Sequence, residues 1–367
     1  MTKDTLVVIG TSGTLTQKIA ARAQTDLGFA IRFEPLDGVE LQRRVVLEPE
    51  SFDIVDHWST TAELAWFAGV LQPVDCTRLP AWSDVIGPDS FGFLELISDG
   101  YGAPLGKTLF VQQDGTLGPE RTDQVVMVPT VHNCDSYAWT DHVGPLLEKG
   151  EQESWGWLLD PRFRGKVALS GHASISGLEA ALAAQALGLM TFKDIGNFSV
   201  SEIDDLTEIL IDLKQRGHFR GFWYAPHDAI KMLKNRDGCV QSVWAHEVHQ
   251  NPGLAHYATP KEGYRAWVDG LFLSAALPRA RTDMAYAYLN WWLSGWPGAE
   301  LVRNGTFSTN PAAIHAHLGE GDWLKSFGQD GERYKARFGN VAVWNAFMDE
   351  HTYLTRKWAE FLSAGAK

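Results

Sequence analysis

Apolar and polar positions alternate through the first third of the chain with two different periods. Residues 5–10, 29–36 and 51–58 are short apolar runs typical of strands, whereas 14–28, 39–49 and 60–70 carry apolar positions at helical spacing. Gly28 gives the first of these helices a stop signal. This β-α-β-α-β order predicts a parallel sheet with right-handed crossovers, whose ligand-binding loops gather at the carboxyl ends of the strands.

The rest of the chain predicts a second α/β region and a helical end. Residues 123–140 predict one long strand region, 167–171 a strand, and 200–217 an amphipathic helix. Residues 228–238 predict a helix, 239–248 a strand, and 264–277 an extended segment that returns to the first sheet. Residues 281–295, 297–305 and 338–364 predict helices. Two α/β lobes joined by extended strands, with no low-complexity linker, predict a hinge between them.

Two strand-to-helix junctions consist of small hydroxylated residues. One covers Thr11, Ser12, Gly13 and Thr14, and the other covers 170–176 with His172 and Ser174. Unpaired backbone N–H groups at a helix N-terminus favour anions or acceptor oxygens, so each junction is a candidate binding segment. The alternative for the first junction is a simple turn in which Thr11 or Thr14 caps the helix.

Charge and composition exclude several classes of protein. The formal net charge of −13 leaves no basic stripe for nucleic acid, and it disfavours binding to a membrane surface. No apolar stretch reaches the length of a transmembrane helix. The fifteen tryptophans include candidates for the wall of a binding site. The three cysteines contain no CxxC pair, which excludes the usual zinc and thioredoxin spacings and leaves a disulfide open.

Catalytic and cofactor motifs are missing or incomplete. Residues 10–17 lack the GxGxxG spacing, residues 102–108 are one residue short of a P-loop, and no serine lies in GxSxG. His246 and His249 in the sequence HEVH are spaced i, i+3 where a zinc protease needs i, i+4, so we expect a solvated loop there. We therefore expect no catalytic residue, no cofactor and no metal.

Three ordered segments carry a family resemblance. Residues 52–75 begin with a D-I-V strand, 154–169 have the order W-G-W-L-L-D-P-R-F-R-G, and 266–313 run from A-W-V-D-G to G-T-F-S-T-N-P-A-A. This order resembles the solute-binding proteins of ABC importers, most closely the spermidine/putrescine-binding type, over nearly the whole chain. The resemblance implies the type II periplasmic binding fold: two α/β lobes, each a mostly parallel sheet flanked by helices, joined by extended hinge strands.

The resemblance also implies positions for the binding residues and the lobes. Trp267 and Asp269 match the family's W-x-D pair, in which the tryptophan packs on the alkyl chain and the aspartate pairs with an ammonium. Trp244 matches a second wall tryptophan, Trp58 and Ser59 extend the wall, and Phe307 and Ser308 lie in a turn that approaches the ligand. The implied lobes are 1–131 plus 268–315, and 132–267 plus 316–367 with the C-terminal helices on the second lobe.

Two departures from the family pattern change the expected ligand. Where polyamine binders have W-T-E-Y after the first strand, this chain has T-S-G-T-L, and no carboxylate lies at His172 to Ile175. Asp269 is then the one obvious counter-charge, and an unpaired second ammonium would be costly to desolvate. We therefore expect a small zwitterionic or amine-containing solute, such as an amino acid derivative, an opine-like compound or an aminoalkyl phosphonate or sulfonate.

The expected function is capture of this solute between two lobes by hinge closure, without catalysis. The alternatives are polyamine binding by the same fold, a cytosolic two-domain α/β transferase and a metal-ion binder. The expected partners are the solute and an ABC permease in the inner membrane, with no nucleic acid and a monomeric state. We expect a periplasmic protein, although the sequence moves from Met1 directly into a strand without a signal peptide.

Overall fold

The computed structural model describes residues 5–36, 38–87, 91–234 and 238–365. Its strands are β1 Thr5–Thr11, β2 Ala30–Leu36, β3 Ile54–Trp58, β4 Leu71–Gln72, β5 Val74–Asp75, β6 Phe110–Val111, β7 Leu117–Gly118, β8 Gln124–Val125, β9 Val128–Trp139, β10 Val167–Ser170, β11 Phe219–Trp223, β12 Val240–Val243, β13 His256–Tyr257, β14 Tyr264–Ser274, β15 Phe307–Ser308 and β16 Val341–Trp344.

The α-helices are α1 Gln17–Leu27, α2 Gly38–Leu47, α3 Thr61–Phe67, α4 Trp82–Ile86, α5 Phe93–Leu96, α6 Ala173–Ala186, α7 Val200–Gln215, α8 Pro226–Leu233, α9 Ala245–Gln250, α10 Thr282–Leu293, α11 Trp296–Arg303, α12 Pro311–His315, α13 Glu320–Ser326, α14 Glu332–Phe338 and α15 His351–Ser363. Short 3-10 helices lie at Pro49–Ser51, Cys76–Arg78, Leu105–Lys107, Asp141–Leu146, Trp155–Leu158, Pro161–Phe163 and Arg279–Arg281.

The chain forms two compact units. Unit 1 comprises 1–99, 104–133 and 267–335, and unit 2 comprises 100–103, 134–266 and 336–367. The long strands β9 and β14 each contain one of the boundaries. The lobe limits predicted from the sequence differ from these units mainly at 316–335, which the prediction placed in the second lobe. That segment joins unit 1 because Tyr334 hydrogen-bonds His132 at 2.9 Å and Phe327 packs edge-on against Phe307.

Unit 1 contains a mixed sheet in the order β2-β1-β3-β14. Strand β1 is parallel to β2 and β3, as the alternating pattern predicts, and β14 runs antiparallel to β3. Residues Val7–Ile9 and Ile54–Val55 are almost fully buried and form the centre of its core. Gly10 permits the close pairing of β1 and β3, because a Cβ there would lie 2.9 Å from Cβ of Asp56.

A buried ion pair connects β1 and the start of β3 to the residue that precedes α10. The Asp53 carboxylate accepts hydrogen bonds from Val7 N at 2.8 Å and from the Arg281 guanidinium at 2.8 and 3.0 Å. Asp53 opens the D-I-V segment of the sequence, so the acidic residue of that motif has a structural contact in this chain.

Unit 2 contains the sheet order β11-β10-β12-β9. Strand β10 is parallel to β11 and β12, and β9 is antiparallel to β12. Helices α6, α7 and α15 pack on this sheet around fully buried side chains that include Trp155, Leu158 and Leu178. Each unit therefore brings the carboxyl ends of its parallel strands to one edge.

Three local expectations need correction. Residues 341–344 form strand β16 rather than the start of a helix, because they pair in parallel with β14. The segment HEVH lies on the short helix α9, not in a loop. Helix α1 begins at Gln17, so 11–14 precedes the helix instead of forming its first turn. Residues 235–237 of the predicted 228–238 helix lie outside the described residues.

Candidate functional site

The Thr11–Thr14 segment forms a turn between β1 and α1. Leu15 N donates to Thr11 O at 2.9 Å, and Thr16 caps the helix by accepting from Ile19 N at 3.2 Å. Ser12 and Gly13 are exposed, whereas Thr14 is buried. Thr16 is thus the N-cap residue of α1. The turn before it exposes backbone groups and the Ser12 hydroxyl at the sheet edge.

Trp58, Asp269 and Trp267 share one face of the unit 1 sheet. Trp58 and Asp269 are paired across β3 and β14, and Trp267 lies two residues before Asp269 on the same strand. Side chains of paired antiparallel residues and of i, i+2 neighbours point to the same side. Both indoles are half-buried and Asp269 is 4% exposed, so a carboxylate lies among aromatic side chains at this edge.

The packing of Trp58 explains why residue 38, the first residue of α2, is a glycine. A Cβ on Gly38 would lie 2.9 Å from the Cη2 atom of Trp58, so the helix start and the indole are in close contact. The Trp58 ring also stacks on His57 at 4.6 Å between centroids. Ser59, the next residue, is half-exposed and its N–H donates to Val268 O at 2.8 Å. These contacts hold the Trp58 indole in a defined position.

Phe307 and Ser308 lie in the interior of unit 1. Phe307 is 5% exposed and packs against Phe327 and Tyr334, each at 5.4 Å between ring centroids. The Ser308 hydroxyl accepts from Asn310 N at 3.2 Å. Their packing is that of core residues of this unit.

In unit 2, His172 and Ser174 lie where α6 begins. His172 is the N-cap residue, with its N–H bonded to the Ser170 hydroxyl at 3.1 Å and its ring Nε2 3.1 Å from Tyr224 O. Ser174 is half-exposed in the first turn, which contains no acidic residue. The first turn of this fourteen-residue helix therefore presents backbone donors and positive dipole.

Tyr224 is an aromatic neighbour of this helix start that the sequence did not single out. Its side chain is 56% exposed and makes an edge-on contact with the His172 ring at 5.8 Å. A Cβ on Gly171 would lie 2.2 Å from the Tyr224 ring, so only glycine allows this packing. Its position directly after β11 is the one signal that could have found it.

Trp244 adjoins a buried carboxylate that the sequence analysis also missed. Trp244 N donates to Oε2 of Glu247 at 3.1 Å, and Glu247 is 2% exposed. The other carboxylate oxygen, Oε1, has no hydrogen-bond partner in the part of the chain that the structure describes. Burial raises the pKa of Glu247 to about 8, opposed by the Trp244 N–H and assisted by the charges of Asp135 and Glu179.

Glu247 lies next to a buried ionic network. Arg265 is 1% exposed and donates to Asp135 at 3.1 Å, to Glu179 at 3.2 Å and to Asn345 at 2.8 Å. Burial raises the pKa of Glu179, whereas Arg265 lowers it. Three acidic side chains, Asp135, Glu179 and Glu247, interact here, and the charge of Arg337 acts on Asp135 in addition to that of Arg265.

A groove of about 540 Å³ runs between α8 and α9 in unit 2. It is lined among others by Lys231, Lys234, His246 and Glu247. Glu247 therefore borders a concave surface as well as the ionic network.

No metal centre forms among the residues that the structure describes, since no three His, Cys, Asp or Glu side chains cluster suitably. His57 and His132 are buried, and burial lowers the pKa of each to about 3. His57 Nδ1 is 2.6 Å from the Thr61 hydroxyl. Both histidines are thus neutral interior groups at neutral pH.

No described helix is long and apolar enough to cross a membrane.

We compared the chain with protein-family models, curated proteins and solved structures. No protein-family model matches the chain. The putrescine-binding periplasmic protein PotF of Escherichia coli K12 is 26% identical over 304 residues, which cover 79% of this chain and 73% of that protein.

Two solved structures share the fold along nearly their whole length. PotD, a spermidine/putrescine ABC transporter substrate-binding protein of Streptococcus pneumoniae, has a TM-score of 0.66 at 13% identity, covering 98% of this chain and 100% of that one. The binding protein MotA of A. tumefaciens in complex with glucopine has a TM-score of 0.60 at 17% identity, covering 97% and 99%. The chain has the two-lobe type II periplasmic binding fold.

Proposed function

We propose that this chain is a solute-binding protein of the spermidine/putrescine-binding type, which captures a small amine-bearing organic solute for an ABC importer without catalysis. The 26% identity to PotF and the fold shared with PotD support this proposal. The observation that carries the choice of an amine is the buried carboxylate of Asp269 among Trp58 and Trp267. Tryptophan faces attract cations and alkyl chains, and a carboxylate forms charge-assisted hydrogen bonds with an ammonium.

A zwitterion is the first candidate. In it the ammonium would contact Asp269, and a carboxylate, phosphonate or sulfonate would accept hydrogen bonds from the first turn of α6 at His172 and Ser174. Two features support this assignment: the first turn of α6 contains no acidic residue, and His172 and Ser174 are half-exposed. The exposed Thr11–Thr14 turn adds further donors in unit 1.

A diamine is the second candidate, because Glu247 supplies a carboxylate that the sequence did not reveal. Glu247 lies beside Trp244, and its Oε1 has no hydrogen-bond partner among the described residues. This oxygen could therefore accept a hydrogen bond from a ligand. With a pKa raised to about 8, Glu247 is mostly protonated at neutral pH. An ammonium bound beside it would favour the ionised form, so diamine binding would release a proton.

We propose that one ligand binds two groups of residues, one group in each unit, which we call half-sites. We assign Thr11, Ser12, Gly13, Thr14, Trp58, Ser59, Trp267 and Asp269 to unit 1, with Phe307 and Ser308 supporting them from the interior, and His172, Ser174, Trp244, Tyr224 and Glu247 to unit 2. A solute that contacts both stabilises the closed form, whereas one that contacts a single half-site does not.

Proton release separates the two candidates in one calorimetric experiment. γ-Aminobutyrate and putrescine are titrated into the protein at pH 7 in buffers of different ionisation enthalpy, and the slope of the observed enthalpy gives the protons exchanged. Putrescine binding with release that disappears in Glu247→Gln supports the diamine, and γ-aminobutyrate binding without release supports the zwitterion. Wild-type affinity for both in Asp269→Asn contradicts the proposed amine site.

The relatives suggest the cellular setting. PotF is a periplasmic protein, and PotD is the substrate-binding protein of an ABC transporter. For this chain we propose the periplasm, a monomeric state, a permease partner and no interaction with nucleic acid, which agrees with the net charge of −13.

A further inference from the structure

Beneath the Thr11–Thr14 turn, unit 1 contains a group of buried polar side chains from three elements. Asp56 comes from β3, Thr14 from the turn, and Tyr288 and Trp292 from α10. Asp56 is 0% exposed, Tyr288 0%, Trp292 3% and Thr14 4%. Together they form what we call the Asp56 cluster.

The members of the Asp56 cluster face one another. The Thr14 hydroxyl is the polar side chain that lowers the pKa of Asp56, and the Asp56 charge acts in turn on Tyr288. Tyr288 also faces Trp292, which lies four residues further along α10. Asp56 points to the side of the sheet opposite His57, its neighbour on β3. The Asp56 cluster is thus a closed set of one acid and three donors.

Each of these donors and acceptors has unused hydrogen-bonding capacity. Both carboxylate oxygens of Asp56, Oγ1 of Thr14, Oη of Tyr288 and Nε1 of Trp292 complete no hydrogen bond within the described residues. A buried carboxylate without partners is costly, and hydroxyl and indole donors are the groups that can satisfy it. A small movement of the turn that brings the Thr14 hydroxyl onto Asp56 would relieve this cost.

We propose that Asp56 is a positioning residue that acts through the Thr14 hydroxyl to fix the Thr11–Thr14 turn for ligand binding. The inference rests on the proposed function, because the turn is assigned there to the ligand. Asp56 itself is buried and touches no solute. Only its ionised form accepts on both oxygens, so the order of the turn depends on the Asp56 proton.

The direction of the pH dependence follows from burial. Burial raises the pKa of Asp56 to about 7. Raising the pH from 6 to 8 ionises the carboxylate and favours formation of a hydrogen bond from the Thr14 hydroxyl to it, so we expect the turn to become more ordered. The groups facing Asp56 from the turn and from α10, Thr14 and Tyr288, do not titrate in this range, because burial raises the pKa of Tyr288 further.

Amide hydrogen exchange tests the inference without any ligand. The reporter is the Leu15 N–H, which donates to Thr11 O across the turn. We expect protection of this amide, corrected for intrinsic exchange, to rise severalfold between pH 6 and 8 in the wild type and in Thr14→Ser. Asp56→Asn and Thr14→Val should lose this rise. The buried-threonine control Thr207→Val, in unit 2, should behave as the wild type.

Affinity measurements complete the experiment and separate this inference from the proposed function. If putrescine or γ-aminobutyrate binds, we expect Asp56→Asn and Thr14→Val each to weaken it three- to tenfold at pH 8, with no further loss in the double variant. Unchanged Leu15 protection in Asp56→Asn at both pH values overturns the inference, whether or not a probe binds. Failure of every amine-bearing compound in a panel of polyamines, amino acids, opines and aminoalkyl phosphonates to bind wild-type protein, with the exchange pattern as expected, overturns the proposed function instead.

Discussion

Trp58 and Asp269 lie directly opposite each other on the antiparallel strands β3 and β14. This pairing brings an indole and a buried carboxylate from distant parts of the sequence to the same face of unit 1. Two backbone contacts support the arrangement: Ser59 N donates to Val268 O at 2.8 Å, and Thr130 Oγ1 donates to Asp269 O at 3.3 Å. The proposed amine subsite rests on this arrangement of an indole and a carboxylate.

Removing the Asp269 charge should weaken an amine more than an anion. We expect Asp269→Asn to reduce affinity for an amine-bearing probe by roughly 10- to 100-fold, since a hydrogen bond to a charged group contributes about 1.5–3 kcal/mol. Calorimetry of wild type and variant with γ-aminobutyrate and putrescine measures the effect. Asp283→Asn, a change at an exposed side chain of the same unit, is the matched control. Equal losses in both variants would refute a specific role for Asp269.

Stability should depend on pH through Asp56. Its pKa is raised by burial to about 7 from the ordinary value of 3.8, so the folded state holds the proton more tightly than the unfolded state. The stability that this proton contributes is complete below about pH 4 and is lost as the pH rises through 7. Asp56→Asn should therefore gain stability relative to the wild type between pH 5 and 8, by an amount on the order of 2–4 kcal/mol.

Urea unfolding at pH 5, 6, 7 and 8 measures this difference directly. Glu247, with a pKa raised to about 8, acts in the same direction in unit 2 and is present in both proteins, so it cancels in the comparison. A constant difference between Asp56→Asn and wild type across this range would show that Asp56 is already ionised in the folded protein.

The Arg265 network should be essential for folding of unit 2. Arg265→Met leaves Asp135 and Glu179 buried without their guanidinium partner. Removing one partner of a buried ion pair typically costs about 3–5 kcal/mol. We expect a loss of this size in urea unfolding, compared with less than about 1 kcal/mol for the exposed pair disrupted by Arg216→Met. Similar small losses in both variants would mean that water reaches the network.

The cysteines should behave as buried thiols without a disulfide. Cys76, Cys134 and Cys239 are all buried and none of them forms a disulfide, and burial raises the pKa of Cys76 and of Cys239 to about 12. We expect a thiol reagent such as DTNB to label the protein only after unfolding, and a reducing agent to leave the melting temperature unchanged. Rapid labelling of the native protein would contradict the buried positions.

The sequence was most informative where local pattern and tertiary structure agree. The strands β1–β3 and the helices between them follow the apolar periodicity closely, because each buries one face against the same core. Residues 341–344 did not follow it, since their aromatic-rich run is too short to distinguish a strand that pairs with β14 from a helix. Pairing partners so distant in sequence leave no local signal.

The candidate site was predictable in part. Trp267 and Asp269 could be selected because they form a short motif at a recognisable position, and their shared face follows from strand spacing. Glu247 and Tyr224 could not, because a single acid on a short helix and a single tyrosine after a strand are common. Only burial, the unused Glu247 oxygen and the packing over Gly171 single them out.

Thermal unfolding in the presence of single small molecules tests the central claim most directly. The panel comprises polyamines, amino acids, opines and aminoalkyl phosphonates, each also incubated with the protein and checked for conversion. The account predicts that at least one amine-bearing compound raises the melting temperature by several degrees at concentrations far above its dissociation constant, and is recovered unchanged. A panel in which only amine-free anions stabilise the protein, or in which a compound is steadily converted to product, would contradict it.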